Sequence, residues 1–184
     1  MKVIPTKIEG VFIIEPKVFK DSRGYFFEVF SKRNFEEQTG MEIDFVQDNE
    51  SCSHKGVLRG LHFQKPPYSQ AKLVRCVVGK VLDVAVDLRK GSPTYGQYET
   101  VELSEENNLH FFIPKGMAHG FEVLSDRAIF QYKCDEYYHP EAEGGIDPYD
   151  PHINIEWQIS KEYAILSEKD KIQPSFIDFQ SPFD

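Results

Sequence analysis

Apolar side chains recur mostly at every second position along this chain, a spacing that suits extended strands and not helices. Residues 11–14, Lys72–Val78, 81–88, 98–103, 109–113 and 128–134 all read as strands. Turn-forming clusters divide them: Asp21-Ser22-Arg23-Gly24, Gly79-Lys80, Lys90-Gly91-Ser92-Pro93 and Pro114-Lys115-Gly116. Short strands at this even spacing predict an all-β sandwich or barrel of the jelly-roll kind. Helix is scarce: residues 31–38, with Ser31 as N-cap and Gly40 as terminator, and a shorter stretch over 160–166. No internal repeat, low-complexity tract or linker interrupts the sequence, so residues 1–184 are expected to form a single domain. The acidic stretch 141–151, which contains glycine and proline, reads as a long surface loop.

A net charge of −9 works against long-range attraction to nucleic acid or anionic membranes, and neither is expected as a partner. A small anionic ligand needs only a local basic cluster, which the residues from Arg59 to Arg75 can supply. No apolar run reaches the ~20 residues needed to span a bilayer. Met1-Lys2-Val3-Ile4-Pro5 lacks the apolar core of a signal peptide, so cytoplasmic residence is expected. Cys52, Cys76 and Cys134 are scattered, odd in number and without a C-x-x-C pair. That argues against a disulfide framework and a zinc site, and at least two are expected as buried free thiols.

The stretch from Val57 to Lys72 sets Arg59, His62, Gln64 and Lys72 among strand-forming residues. The arginine and lysine suit a phosphorylated ligand, and histidine is the side chain best poised for proton transfer near neutral pH. Strict alternation puts Leu58, Gly60, His62 and Gln64 on one face and turns Arg59 to the other. A bulge at Gly60 would bring Arg59 and His62 to one cavity, and the sequence leaves both arrangements open. Read singly, each residue has an ordinary explanation. His62 reads first as a hydrogen-bonded structural histidine, Lys72 as a strand-end lysine reaching solvent, and Tyr132 as a core tyrosine. Asp83 and Asp87 read as the solvated face of a strand, with a supporting role at a site the lesser reading for Asp83. The run from Leu166 to Asp170 reads as a charged surface turn. Pro114 to Phe121 carries His119 into a strand after a turn, as in metal-binding cupins. Such metal sites commonly draw two ligands from an H-x-H pair. This chain has no H-x-H and places Gln64 where the second histidine would stand, so no metal is expected.

Taken together, the ordered motifs are specific. Asp21-x-Arg23-Gly24-x-Phe26-x-Glu28, Gln47-x-Asn49-x-Ser51, Arg59-Gly-Leu-His-Phe-Gln64, Gln70-Ala-Lys72-Leu-Val74, Asp83-Val-x-Val-Asp87, Pro114-x-Gly-x-Ala-His-Gly-Phe121 and Ser167-x-Lys-Asp170 span nearly the whole chain. The set closely resembles the dTDP-4-dehydrorhamnose 3,5-epimerases. The resemblance implies a cupin-like jelly roll, a metal-free and cofactor-independent isomerase, a dTDP-sugar substrate and a homodimer. It implies that His62 is the base, Asp170 its orienting carboxylate, Lys72 the stabiliser of the enolate oxygen and Tyr132 the proton donor on the far side. It also implies that Arg23, Glu28, Gln47, Asn49, Arg59, His119, Glu143 and Lys169 surround the nucleotide sugar, with Tyr138 stacking on the thymine. The activity implied is inversion at C3 and C5 of dTDP-4-dehydro-6-deoxy-D-glucose, in dTDP-rhamnose synthesis. Rival readings are a single-site epimerase or ketoisomerase of another dTDP-deoxysugar, a metal-dependent cupin oxygenase, and a non-catalytic nucleotide-sugar-binding module.

Overall fold

Two antiparallel sheets lie face to face, and apolar residues at alternate positions along their strands meet between them. The computed structural model describes residues 1–184. Its strands are β1 Lys2–Pro5, β2 Phe12–Glu15, β3 Phe19–Asp21, β4 Gly24–Phe26, β5 Gln47–His54, β6 Leu58–Gln64, β7 Lys72–Val78, β8 Lys80–Asp87, β9 Tyr98–Ser104, β10 His110–Ile113, β11 Met117–Val123, β12 Arg127–Cys134 and β13 Glu143–Gly145. One sheet runs β1-β2-β10-β7-β12-β5, the other β13-β6-β11-β8-β9, and β3 with β4 forms a separate hairpin. This is the all-β architecture that the alternation predicts. β7 covers its predicted residues, and β8, β9, β10 and β12 lie within one residue of theirs at each end.

The α-helix α1 (Lys32–Thr39) is capped as expected: Ser31 Oγ accepts the Asn34 N–H, and Gly40, at φ 71°, donates to the Glu36 carbonyl. Its buried Phe35 meets Phe45 and Phe112 on the outer side of the first sheet. No helix is long and apolar enough to cross a membrane. Cys76 and Cys134 are buried and Cys52 exposed, all three as free thiols.

Three expectations need correction. Residues 160–166 form no helix: after one turn closed by the Tyr163 N–H on the Ser160 carbonyl, the Ile165 N–H bonds to Gly56 instead. The turn between β5 and β6 thus captures the donor that a helix would need. Residues 141–151 are not a surface loop. β13 pairs with β6, Ile146 is fully buried, and the Asp150 carboxylate accepts N–H groups from His152, Ile153 and Phe176.

The third correction concerns β8. Its Val81 and Ala85 point between the sheets, and alternation carries Asp83 and Asp87 to that same side. Leu82, Val84 and Val86 point outward, where Ile146, Ile153, Ile155 and Phe183 of the C-terminal segment cover them. Both aspartates are therefore fully buried, not solvated. Alternation separates two faces without saying which one meets water. Asp87 is satisfied by Arg89, Ser92 and Thr94.

On the outer side of the first sheet, His110 is buried beside Phe27 and the half-buried Arg75. Burial, helped by the Arg75 charge, pushes its imidazole down to about 4. The unfolded chain takes up this proton near pH 6.5, whereas the folded chain resists it until about 4. Stability is thus expected to fall by about 3 kcal/mol as pH drops through that window. His110→Phe should flatten this dependence in urea unfolding at pH 7 and pH 4.5. An unchanged difference between the two pH values would refute the assignment.

Candidate active site

The apolar filling between the sheets gives way to polar side chains at one end. There β6 and β11 approach closely through two glycines. A Cβ on Gly60 would lie 2.6 Å from Gly120 Cα, and one on Gly120 would lie 2.7 Å from the Arg59 carbonyl. Gly60 also has φ 128°, which side-chain-bearing residues rarely adopt. The register shifts here: His62 sits opposite His119, but Arg59 sits opposite Phe121. The shift is a bulge, and it turns both Arg59 and His62 inward. The bulged arrangement holds, and strict alternation does not.

Arg59, His62, Lys72, His119, Tyr132, Lys169 and Asp170 line a cavity of about 620 Å³. A neighbouring cavity of about 360 Å³ shares His62, Lys72 and Tyr132 and adds Gln47, Asn49, Tyr138 and Glu143. Lys72 and Tyr132 come from the first sheet, on β7 and β12, while His62 and His119 come from the second. The shared space therefore has an imidazole on one wall and an ammonium and a phenol on the other.

Each wall has its own electrostatics. His62 Nε2 lies 2.6 Å from Asp170 Oδ1. Asp170 opens a 3₁₀ turn (Asp170–Ile172) and is buried, while Ser167, Glu168 and Lys169 before it form the exposed turn that the composition suggests. Burial alone would raise its carboxyl, but hydrogen bonds from His62, Ser167 and the Gly60 N–H hold it below the ordinary range. Lys72 is pushed down by burial, partly offset by Cys134, Asp83 and Glu143. It lines the two cavities and does not stand free at the strand end. Burial raises the Tyr132 phenol, with Cys134 adding to the effect, so it keeps its proton. His119 Nε2 lies 3.0 Å and 3.1 Å from the two Asp83 oxygens. Burial raises Asp83 and lowers His119, in each case against the mutual attraction of the two groups. At the far end Glu143 joins two residues: Tyr138 Oη donates to it at 3.3 Å and Lys169 Nζ at 2.7 Å.

Arg23 and Glu28 stand apart. Arg23 sits in the β3–β4 hairpin, 88% exposed and bonded to its own Asp21. Glu28 accepts from Asn34 beside α1. Neither lines either cavity.

The family model for dTDP-4-dehydrorhamnose 3,5-epimerase matches residues 5–178. The chain belongs to that epimerase family. The dTDP-4-dehydrorhamnose 3,5-epimerase of Shigella flexneri is 54% identical over 178 residues, 97% of each chain. The crystal structure of the Elizabethkingia anophelis epimerase matches with TM-score 0.94 at 52% identity, again over 97% of each chain. That of the Legionella pneumophila dTDP-6-deoxy-D-glucose-3,5-epimerase, in complex with dTDP-4-keto-L-rhamnose, matches with TM-score 0.93 at 49% identity. It covers 97% of this chain and 94% of that one.

In this epimerase, pattern reading missed one support of the site and ranked the other low. Ser53 Oγ accepts the Arg59 Nε–H at 3.0 Å, and Asp83 holds His119. A signal for Asp83 existed. Trp157, Phe176, Phe179 and Phe183 late in the chain need an apolar surface to cover, and the outer face of β8 provides one.

Proposed function

We propose that this epimerase binds dTDP-4-dehydro-6-deoxy-D-glucose and inverts C3 and C5, giving dTDP-4-dehydro-L-rhamnose. The observation that carries this reading is the opposition of His62 to Lys72 and Tyr132 across one cavity. The C4 ketone acidifies the protons on C3 and C5. His62 Nε2 removes one, and the adjacent Asp170 carboxylate stabilises the imidazolium that forms. The electron pair moves onto the C4 oxygen, where the Lys72 ammonium, short of water, stabilises the developing charge. Tyr132 then delivers a proton to the opposite face of the same carbon. His62 returns its proton to solvent and Tyr132 regains one, so the cycle closes without a redox change.

Arg59 and Lys169 suit the diphosphate, Tyr138 the thymine, and Gln47, Asn49, His119 and Glu143 the rest of the nucleotide sugar. The position of Arg23 and Glu28 supports a homodimer, in which each hairpin reaches the cavity of the other subunit. The hairpin carries exposed Phe19, Tyr25 and Phe26, an apolar arm without cover in one chain. A purely monomeric protein in sedimentation at working concentration would exclude this arrangement. The reading includes cytoplasmic residence, which cell fractionation tests.

Incubation with the keto-sugar in D2O is expected to place deuterium at both C3 and C5. Exchange at neither carbon would refute the epimerase reading, and exchange at C3 alone would reduce it to a single-site epimerase. Tyr132→Phe is expected to keep exchange within about tenfold while inversion falls by about 10²-fold or more. Equal losses in both would place Tyr132 outside the proton-delivery step.

A further inference from the structure

Tyr138 stands in the segment after β12, exposed, with no strand or helix of its own. Three glutamine side chains hold the backbone around it. Gln64 Nε2 donates to the Tyr68 carbonyl at 2.7 Å and to the Tyr137 carbonyl at 3.0 Å, while its Oε1 accepts the His139 N–H at 2.7 Å. Gln70 Nε2 donates to the Glu136 carbonyl at 2.8 Å, and Gln47 Oε1 accepts the Tyr138 N–H at 3.1 Å. Gln64 is the buried centre of this set, only 4% exposed. It ties the turn between β6 and β7 to residues 137–139, and the Tyr68 and His139 rings stack at 3.7 Å across the same seam.

We infer that Gln64 is a positioning residue for the nucleotide end of the cavity, fixing residues 137–139 so that Tyr138 is presented to the base. The inference rests on the reading of Tyr138 as the base-stacking residue and extends it to what holds that residue in place. An amide offers donors and an acceptor at once, so one side chain can satisfy both carbonyls and an N–H of two separate segments. Neither a histidine nor a carboxylate can do this in a single protonation state. That explains a glutamine at a strand position where a metal-binding cupin would use a histidine. Holding the loop before the ligand arrives reduces the ordering entropy lost on binding.

Two variants test the clamp. Gln64→Glu keeps the acceptor for His139 and loses both donors, and Gln70→Ala removes the neighbouring donor at a less buried position. Each is expected to weaken dTDP binding by about five- to tenfold in calorimetry, since the lost bonds hold the loop and do not touch the ligand. KM for the keto-sugar should rise in step, with kcat within about twofold. Unchanged dTDP affinity in both variants overturns the inference. So does a fall in kcat at constant KM, which is what simple loss of folded protein would give. Tyr138→Ala separates the two levels of the argument. Weakened dTDP binding there, with unchanged binding in the glutamine variants, removes only the clamp. Unchanged binding in Tyr138→Ala removes the base-stacking reading and the clamp with it.

Discussion

His62→Ala is expected to lower kcat by about 10²- to 10⁴-fold, the usual range for losing a positioned general base. Solvent deuterium should no longer enter C3 or C5 at a comparable rate. The expectation rests on geometry: the His62 imidazole has the buried Asp170 carboxylate at 2.6 Å, and Asp170 is held ionised by its hydrogen bonds. His119, the other imidazole in the cavity, is committed to Asp83 and pushed by burial toward its neutral form. The variant should fold, because His62 contributes little to the apolar contacts that close the sandwich. Exchange persisting within about tenfold of the unaltered protein would mean that another group is the base.

Lys72→Met is expected to lower kcat by about 10²- to 10³-fold, the scale on which removal of a single oxyanion-stabilising donor is felt. Stability should hold or rise, because burial already disfavours the ammonium and a thioether of similar length has no charge to desolvate. That split separates a role in chemistry from a role in folding. The pH dependence follows from the same displacement. An unfolded lysine keeps its proton to about pH 10.4, while folded Lys72 releases it earlier. Between those points the unfolded state binds more protons, so this group adds stability as pH rises. Activity should decline over the same range, because the uncharged amine no longer stabilises an enolate. A Met variant within tenfold of full activity would remove Lys72 from the mechanism.

The strands with a clear apolar alternation were legible from sequence: β7, β8, β9, β10 and β12, and so was α1 with both caps. Where the interior is polar, the same reasoning lost its reference. β5 reads Gln-Asp-Asn-Glu-Ser-Cys-Ser-His, with no apolar face to announce a strand, because Gln47, Asn49 and Ser51 face the cavities. In β8 the faces were assigned in reverse, since the segment that covers the outer one lies far along the chain, from Ile146 to Phe183. The pairing of His62 with Asp170 crosses 108 residues, and no local pattern encodes it. The motif resemblance reached those residues where periodicity could not. Arg23 and Glu28 form the remaining gap, since within one chain nothing brings them to the others.

The C-terminal segment both covers the outer face of β8 and delivers Asp170 to His62. During synthesis the imidazole therefore emerges with its strand long before its carboxylate has been made. A chain cut off before Asp170 would leave that sheet surface without Phe176, Phe179 and Phe183 and lack the carboxylate that the imidazole leans on. The last of the sheet's cover and the completed base thus arrive together.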